Sequence, residues 1–197
     1  MKTQITLKSI AACALFMCAT ASFAQHSGHQ GHTSAPAPSA YAGEQTRSIK
    51  ALSASDISGL QTGAGMAYAK AAELNGYPGP AHVLELRSQL KLTDQQRTAT
   101  EALMASHQAQ ARLLGAQLVE AERALDVAFA SKSADAASVA ALTQRIGAVQ
   151  AKLRAEHLQT HLSQTAMLSA DQIAGYQTLR GYNLAVPTTS NPQKHVH

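Results

Sequence analysis

From Thr93 to Ala130 the sequence reads as one helix, and its length constrains what the rest of the chain can build. Leu103, Leu114, Leu118, Ala121, Leu125 and Ala128 fall on a single helical face and form an apolar stripe. At 1.5 Å of rise per residue this helix would be ~57 Å long, well beyond the needs of a small globular core. "SKSAD", Ser131–Asp135, turns the chain, and Val139, Leu142, Ile146, Val149 and Leu153 supply the answering stripe. Two long helices with a short connection pack as an antiparallel hairpin. A hairpin buries one face of each helix, so short flanking helices or a second copy of the chain must cover the others; a homodimer is the economical solution.

The starts of these helices are written in one repeated form. In "LTDQQ" Thr93 can accept from the backbone N–H of Gln96 while the Gln96 side chain reaches back to the amide of Thr93, a reciprocal capping box. "LSADQI" repeats the pair with Ser169 and Gln172, and Leu168 with Ile173 adds a hydrophobic staple. "LSASDI", Leu52–Ile57, is a looser third copy with Asp56 in place of Gln. The strong breaker cluster is "NGYPGP", Asn75–Pro80, with Gly76 suited to a left-handed cap and Pro80 to a first helical position. The fold class is therefore all-α: a long antiparallel hairpin with short flanking helices.

At the N-terminus Lys2 and Lys8 precede an apolar run, Ile10–Ala21, that ends in "ASFA"; residues 1–24 read as a secretory signal peptide cut before Gln25. The run is shorter than the ~20 residues needed to span a bilayer. Ile10–Cys13 resembles a lipoprotein acylation site only superficially, since almost no apolar stretch separates it from Lys8. Cys13 and Cys18 both lie in this leader, so disulfides play no part in the fold. Without Lys2 and Lys8 the chain has 14 Lys and Arg against 12 Asp and Glu, a net +2, with no polybasic stripe to suggest nucleic acid. Residues 25–40 and 184–197 carry no apolar period and read as a disordered His-rich arm and a disordered C-terminal tail around a helical domain, 41–183.

Histidine is the residue with chemical potential here. His26, His29 and His32 recur every three residues in the glycine-containing arm, and His195 and His197 repeat the theme at the other end; neutral imidazoles so placed suit zinc, copper or nickel. His26 would be second in the mature chain, so the amino-terminal copper clamp that needs histidine third is not expected. His157 and His161, four apart, share a helix face and either hold an ion or leave His157 as a hairpin-interface residue, with Glu156 pointing elsewhere. His82 and His107 stand isolated, structural or exposed, and Met66, Met104 and Met167 are too scattered for a methionine copper box, which leaves core filling. No nucleophile elbow, phosphate loop or HExxH is present, and acidic residues such as Glu120 and Glu122 alternate with bases such as Arg123, as on solvated helix faces; an enzyme is not expected and no cofactor is required.

The pair Leu92-Thr93-x-x-Gln96 and Leu168-Ser169-x-x-Gln172, in an exported helical chain whose expected mature part has no cysteine, resembles the periplasmic LTxxQ-motif family of Spy/CpxP-type envelope-stress proteins and their CnrX- and ZraP-like metal-responsive relatives. The likeness runs from about Leu52 to Tyr182 and departs from the motif only in Ser169, which keeps the capping hydroxyl. It implies a bent, cradle-like homodimer in the periplasm that holds unfolded or misfolded polypeptides without ATP as an envelope-stress chaperone. The alternative it permits is heavy-metal binding or sensing through the histidine arms, with an inner-membrane stress or metal sensor as partner.

Overall fold

The computed structural model describes residues 38–183. The leader, most of the His-rich arm and the C-terminal tail, with His26, His29, His32, His195 and His197, lie outside the described residues. Six α-helices follow a short 3-10 turn at Glu44–Thr46, with no strand among the described residues: α1 Ala54–Thr62, α2 Lys70–Glu73, α3 Pro80–Glu85, α4 Asp94–Ala130, α5 Ala136–Ala166 and α6 Ala170–Leu179. None of these helices is long and apolar enough to cross a membrane. The two long helices pack on each other, α1 lies on α4, α3 touches both, and α2 rests on α5.

Capping boxes open the helices as the sequence predicts. Ser53, Thr93 and Ser169 each accept from the backbone N–H three residues on, while Asp56, Gln96 and Gln172 accept from the cap amides. Asp135 and Ser138 form a fourth box at the start of α5, hidden in the sequence inside a segment read only as a turn. Pro80 is the first residue of α3, and Gly76 has φ of +91°. A second break was not anticipated. Gly63, with φ of +72°, ends α1, and the seven residues to Ala69 carry Met66 and Ala67 in the left-handed region at φ of +42° and +62°.

The hairpin interface changes character along its length. At the end near the connection it is apolar: Leu118, Val119 and Ala121 of α4 meet Ile146, Val149 and Leu153 of α5, with Ile49 and Leu60 closing over them. Fully burying a side chain such as Leu118 or Leu153 is worth about 1.5–3 kcal/mol. Leu60 comes close because α4 carries Gly115 there; a Cβ at that position would collide with the Leu60 backbone carbonyl. Beyond Leu153 the same α5 stripe continues as His157, Thr160 and Gln164, all buried, facing Thr100 and His107 of α4. This half is polar and hydrogen-bonded: Gln164 donates to Thr100 Oγ1 at 3.2 Å, and Thr160 Oγ1 lies 3.1 Å from His107 Nδ1.

At the open end of the hairpin the two LTxxQ-type motifs lock together. Gln96 Nε2 donates to Gln172 Oε1 at 2.8 Å, and Gln172 Nε2 returns the bond to Gln96 Oε1 at 3.0 Å. Each amide nitrogen also donates to a chain carbonyl, Met167 O at 2.9 Å and Leu90 O at 3.2 Å. With each Oε1 already serving its own cap, both glutamine amides are fully used. The leucines share a destination too: Leu92 and Leu168 pack on the second core of Val83, Leu90 and Tyr176.

Candidate functional site

Where the interface turns polar, a cleft of about 540 Å³ opens between the hairpin and the segment from Thr62 to His82. Met104 and His107, three apart on α4, and His157 and His161, four apart on α5, each present one face to it. The facing segment adds Met66, Glu73 and His82. His82 and His107, isolated in the sequence, are thus not isolated in space, because α3 packs on the hairpin and both residues line the same cleft, from facing sides. The His107 and His157 rings meet edge to face with centroids 4.6 Å apart, and Tyr68 backs His157 at 5.3 Å. Nor do the methionines fill core as a scattered set: Met66 and Met104 line the same cleft, and Met66 is exposed, whereas Met167 caps α5 elsewhere.

The imidazoles are held in a common way. His157 Nδ1 donates to Leu153 O at 2.9 Å and His161 Nδ1 to Tyr77 O at 2.7 Å; a carbonyl can only accept, so in the neutral rings Nε2 carries the lone pair. His107 Nδ1 lies 3.3 Å from Glu156 Oε1 and 3.1 Å from Thr160 Oγ1, whose own proton goes to the Glu156 carbonyl. Glu156 therefore points at His107 across the interface and does not line the cleft, so, as the sequence reading expects, it gives His157 and His161 no third ligand. Among these rings His157 stands out: it is 3% exposed, and its buried Nε2 has no hydrogen-bond partner. Burial holds the His107 pKa below its ordinary value, and the positive field of a charged His157 would push the same way, against the opposing pull of Glu156.

Glu73 organises the far wall. Its Oε1 accepts from Tyr176 at 2.5 Å and Tyr182 at 2.9 Å, with Arg180 Nε at 3.5 Å and His82 Nδ1 at 3.7 Å. Its Oε2 is buried without a hydrogen bond, 3.8 Å from His161 Nδ1. Burial and this carboxylate together raise the Tyr176 phenol far above its usual range, so Tyr176 serves as a fixed donor. Among the described residues no three His, Cys, Asp or Glu side chains stand close enough to hold one metal ion between them. The fit for a metal is accordingly partial: oriented imidazoles with free Nε2 atoms, an orphaned buried nitrogen, and thioethers beside them.

A long helical hairpin with reciprocal LTxxQ-type caps and a histidine- and methionine-lined cleft defines a class of small all-helical proteins. Residues 62–175, more than half of the chain, match the family described as heavy-metal resistance, and the chain belongs to that family, the one the motif pair resembles. Neither a curated protein nor a solved structure matches it. The matched span holds both LTxxQ-type motifs and all the cleft residues named here except Tyr176, Arg180 and Tyr182.

Proposed function

We infer that this chain is an exported, non-catalytic protein of heavy-metal resistance that takes up a metal ion in the cleft between α4, α5 and the Thr62–His82 segment. The observation that carries the reading is the buried, unpartnered Nε2 of His157, beside His107 and His161, whose Nδ1 atoms are likewise committed to protein oxygens. Metal-bound histidines use this arrangement, one ring nitrogen anchored by an oxygen and the other turned to the ion. An orphaned buried nitrogen is costly in an apo protein, about 1–3 kcal/mol, and a cation removes that cost. The histidine arms would capture the same ions from solution, and an inner-membrane sensor is the partner this role calls for. The test is a titration of the full chain with zinc, nickel and silver against His107→Gln/His157→Gln. One high-affinity equivalent should disappear in the double variant while the binding due to the arms remains; unchanged stoichiometry and affinity would exclude the cleft.

A second reading, ATP-independent holding of unfolded or misfolded periplasmic polypeptides, draws support from apolar side chains left exposed on the long helices: Leu113, Val127, Phe129 and Leu162. It requires that the purified protein suppress aggregation of a reduced client at stoichiometric amounts, with chelator present as well as absent. Loss of suppression with chelator would return the activity to the metal cleft.

A further inference from the structure

We propose that Met66 is a reversible oxidation site, at which a peroxide converts the thioether to the sulfoxide, unseats it from α1 and frees the segment 63–69 that lines the cleft. This goes beyond the metal reading and does not depend on it. Met66 is 39% exposed, whereas Met104 and Met167 are half-buried, so among the described methionines it is the one most open to a small oxidant. With hydrogen peroxide, the sulfur lone pair attacks one oxygen and the O–O bond breaks. The other oxygen leaves as hydroxide and takes the remaining proton to become water, so that sulfur is oxidised and the peroxide reduced. The product is polar where the thioether was apolar.

Gly59 sets what the thioether does. A Cβ at Gly59 would lie 2.9 Å from Met66 Sδ and 3.3 Å from its Cγ, so the Met66 side chain occupies the notch that this glycine leaves on α1. The backbone above that seat is strained. Met66 and Ala67 both lie in the left-handed region, at φ of +42° and +62°, where a Cβ crowds the following carbonyl. Such conformations persist only where the surroundings hold them, and they gather at switch regions. The segment is also tied by Ala64 N–H, which donates to Gly59 O at 2.9 Å, and by Tyr68 N–H, which donates to Gly65 O at 2.8 Å. A sulfoxide oxygen needs both space and a hydrogen-bond donor. Sulfur already stands against Gly59, and the N–H groups of α1 around it are committed to the helix. The oxidised side chain therefore leaves the notch, and the strained backbone relaxes with it. Ala64, Gly65 and Ala67 line the cleft beside Met66, so that wall loosens.

The test exposes the full chain to hydrogen peroxide and locates each sulfoxide by peptide mass, as a gain of about 16 Da for one oxygen atom. Met66 should gain its oxygen before Met104 and Met167. Hydrogen exchange at the amides of Ala64 and Tyr68 should then quicken, while amides of the α4–α5 interface stay slow. Methionine sulfoxide reductases for both epimers, with a dithiol as reductant, should restore the mass and the slow exchange together. Gly59→Ala, whose Cβ excludes the thioether, should quicken the same amides with no oxidant present. Met66→Leu, which preserves volume and takes up no oxygen, should exchange at one rate with and without peroxide. Oxidation of Met66 no faster than that of Met104 and Met167 would overturn the proposal, as would a Met66 sulfoxide that leaves both amides slow. Slow exchange in unoxidised Gly59→Ala would overturn it too, since something other than the seated thioether would then hold the segment. If peroxide loosens Met66→Leu as it loosens the parent, the release belongs to another residue and the assignment to Met66 falls.

Discussion

Glutamine recurs in both LTxxQ-type motifs for a reason that capping alone does not supply. A glutamate at the third helical position would accept from the cap amide equally well. Gln96 must also donate, to Met167 O and to Gln172 Oε1, and a carboxylate has no proton to give. Gln96→Glu should therefore keep α4 capped yet lower stability by about 1–3 kcal/mol in chemical denaturation, since it leaves two partly buried acceptors unmet. Thr93→Ala should cost ~1 kcal/mol, and Thr93→Ser, which repeats what Ser169 does, should be nearly neutral by the same measurement. The capping boxes were legible in the sequence because hydroxyl and glutamine act within three residues of each other; the Gln96–Gln172 pairing and the shared core of Leu92 and Leu168 were not, because the partners lie far apart in the chain, 76 residues for the glutamines. His107 gives the residue-scale dependence on pH. Its pKa is depressed below the ordinary 6.5 by burial, so below that pH the unfolded chain binds a proton that the folded chain does not. Stability contributed by the neutral ring is complete above about 6.5 and falls as the pH drops from there through the folded pKa. The melting temperature should accordingly fall between about pH 7 and 5, with a shallower slope in His107→Gln. Asp56 and Asp135, depressed from 3.8, act only at lower pH.

The long helices show where the reading of periodicity succeeds and where it stops. Leu118 and Ala121 of the first stripe and Ile146, Val149 and Leu153 of the second are buried against each other as their spacing predicts. Past Leu153 the stripe does not end; it changes to His157, Thr160 and Gln164, residues that a search for apolar periods passes over. The cleft sits at that change, which is why only His157 and His161 could be proposed from the sequence and His107, His82, Met66 and Met104 could not be joined to them. Gly115 is the other silent element. Nothing in a helical pattern distinguishes a tolerated glycine from one that admits another backbone, yet here the Leu60 carbonyl of α1 occupies the space of its missing Cβ. Gly115→Ala improves helix propensity by about 1 kcal/mol and would stabilise an isolated α4. In the intact protein it should instead destabilise by a net 1–3 kcal/mol or so, because α1 must lift off α4. A lowered melting temperature with unchanged helical content would mark that displacement; a raised one would mean that α1 is not held on α4.

For the whole molecule the question is what covers the outer faces of the hairpin. Leu113 and Val127 are both more than half exposed, and fourteen residues separate them on α4. At about 100° per residue that interval falls within about 40° of whole turns, so the two lie on nearly one face, roughly 21 Å apart along the axis. Phe129, equally exposed, stands two positions beyond Val127 and faces the other way. A single partner helix could lie along Leu113 and Val127 but could not reach Phe129 as well. If a second copy of this chain covers that face, as the thinness of a two-helix hairpin suggests, Leu113→Glu/Val127→Glu should turn a dimer into a monomer in sedimentation, and Phe129→Glu should not. Helical content should stay constant in both, because none of the three side chains packs in the hairpin interface. Retention of the dimer with loss of aggregation suppression would assign the face to polypeptide clients instead. Loss of dimer in Phe129→Glu alone would place the contact on the opposite side of α4.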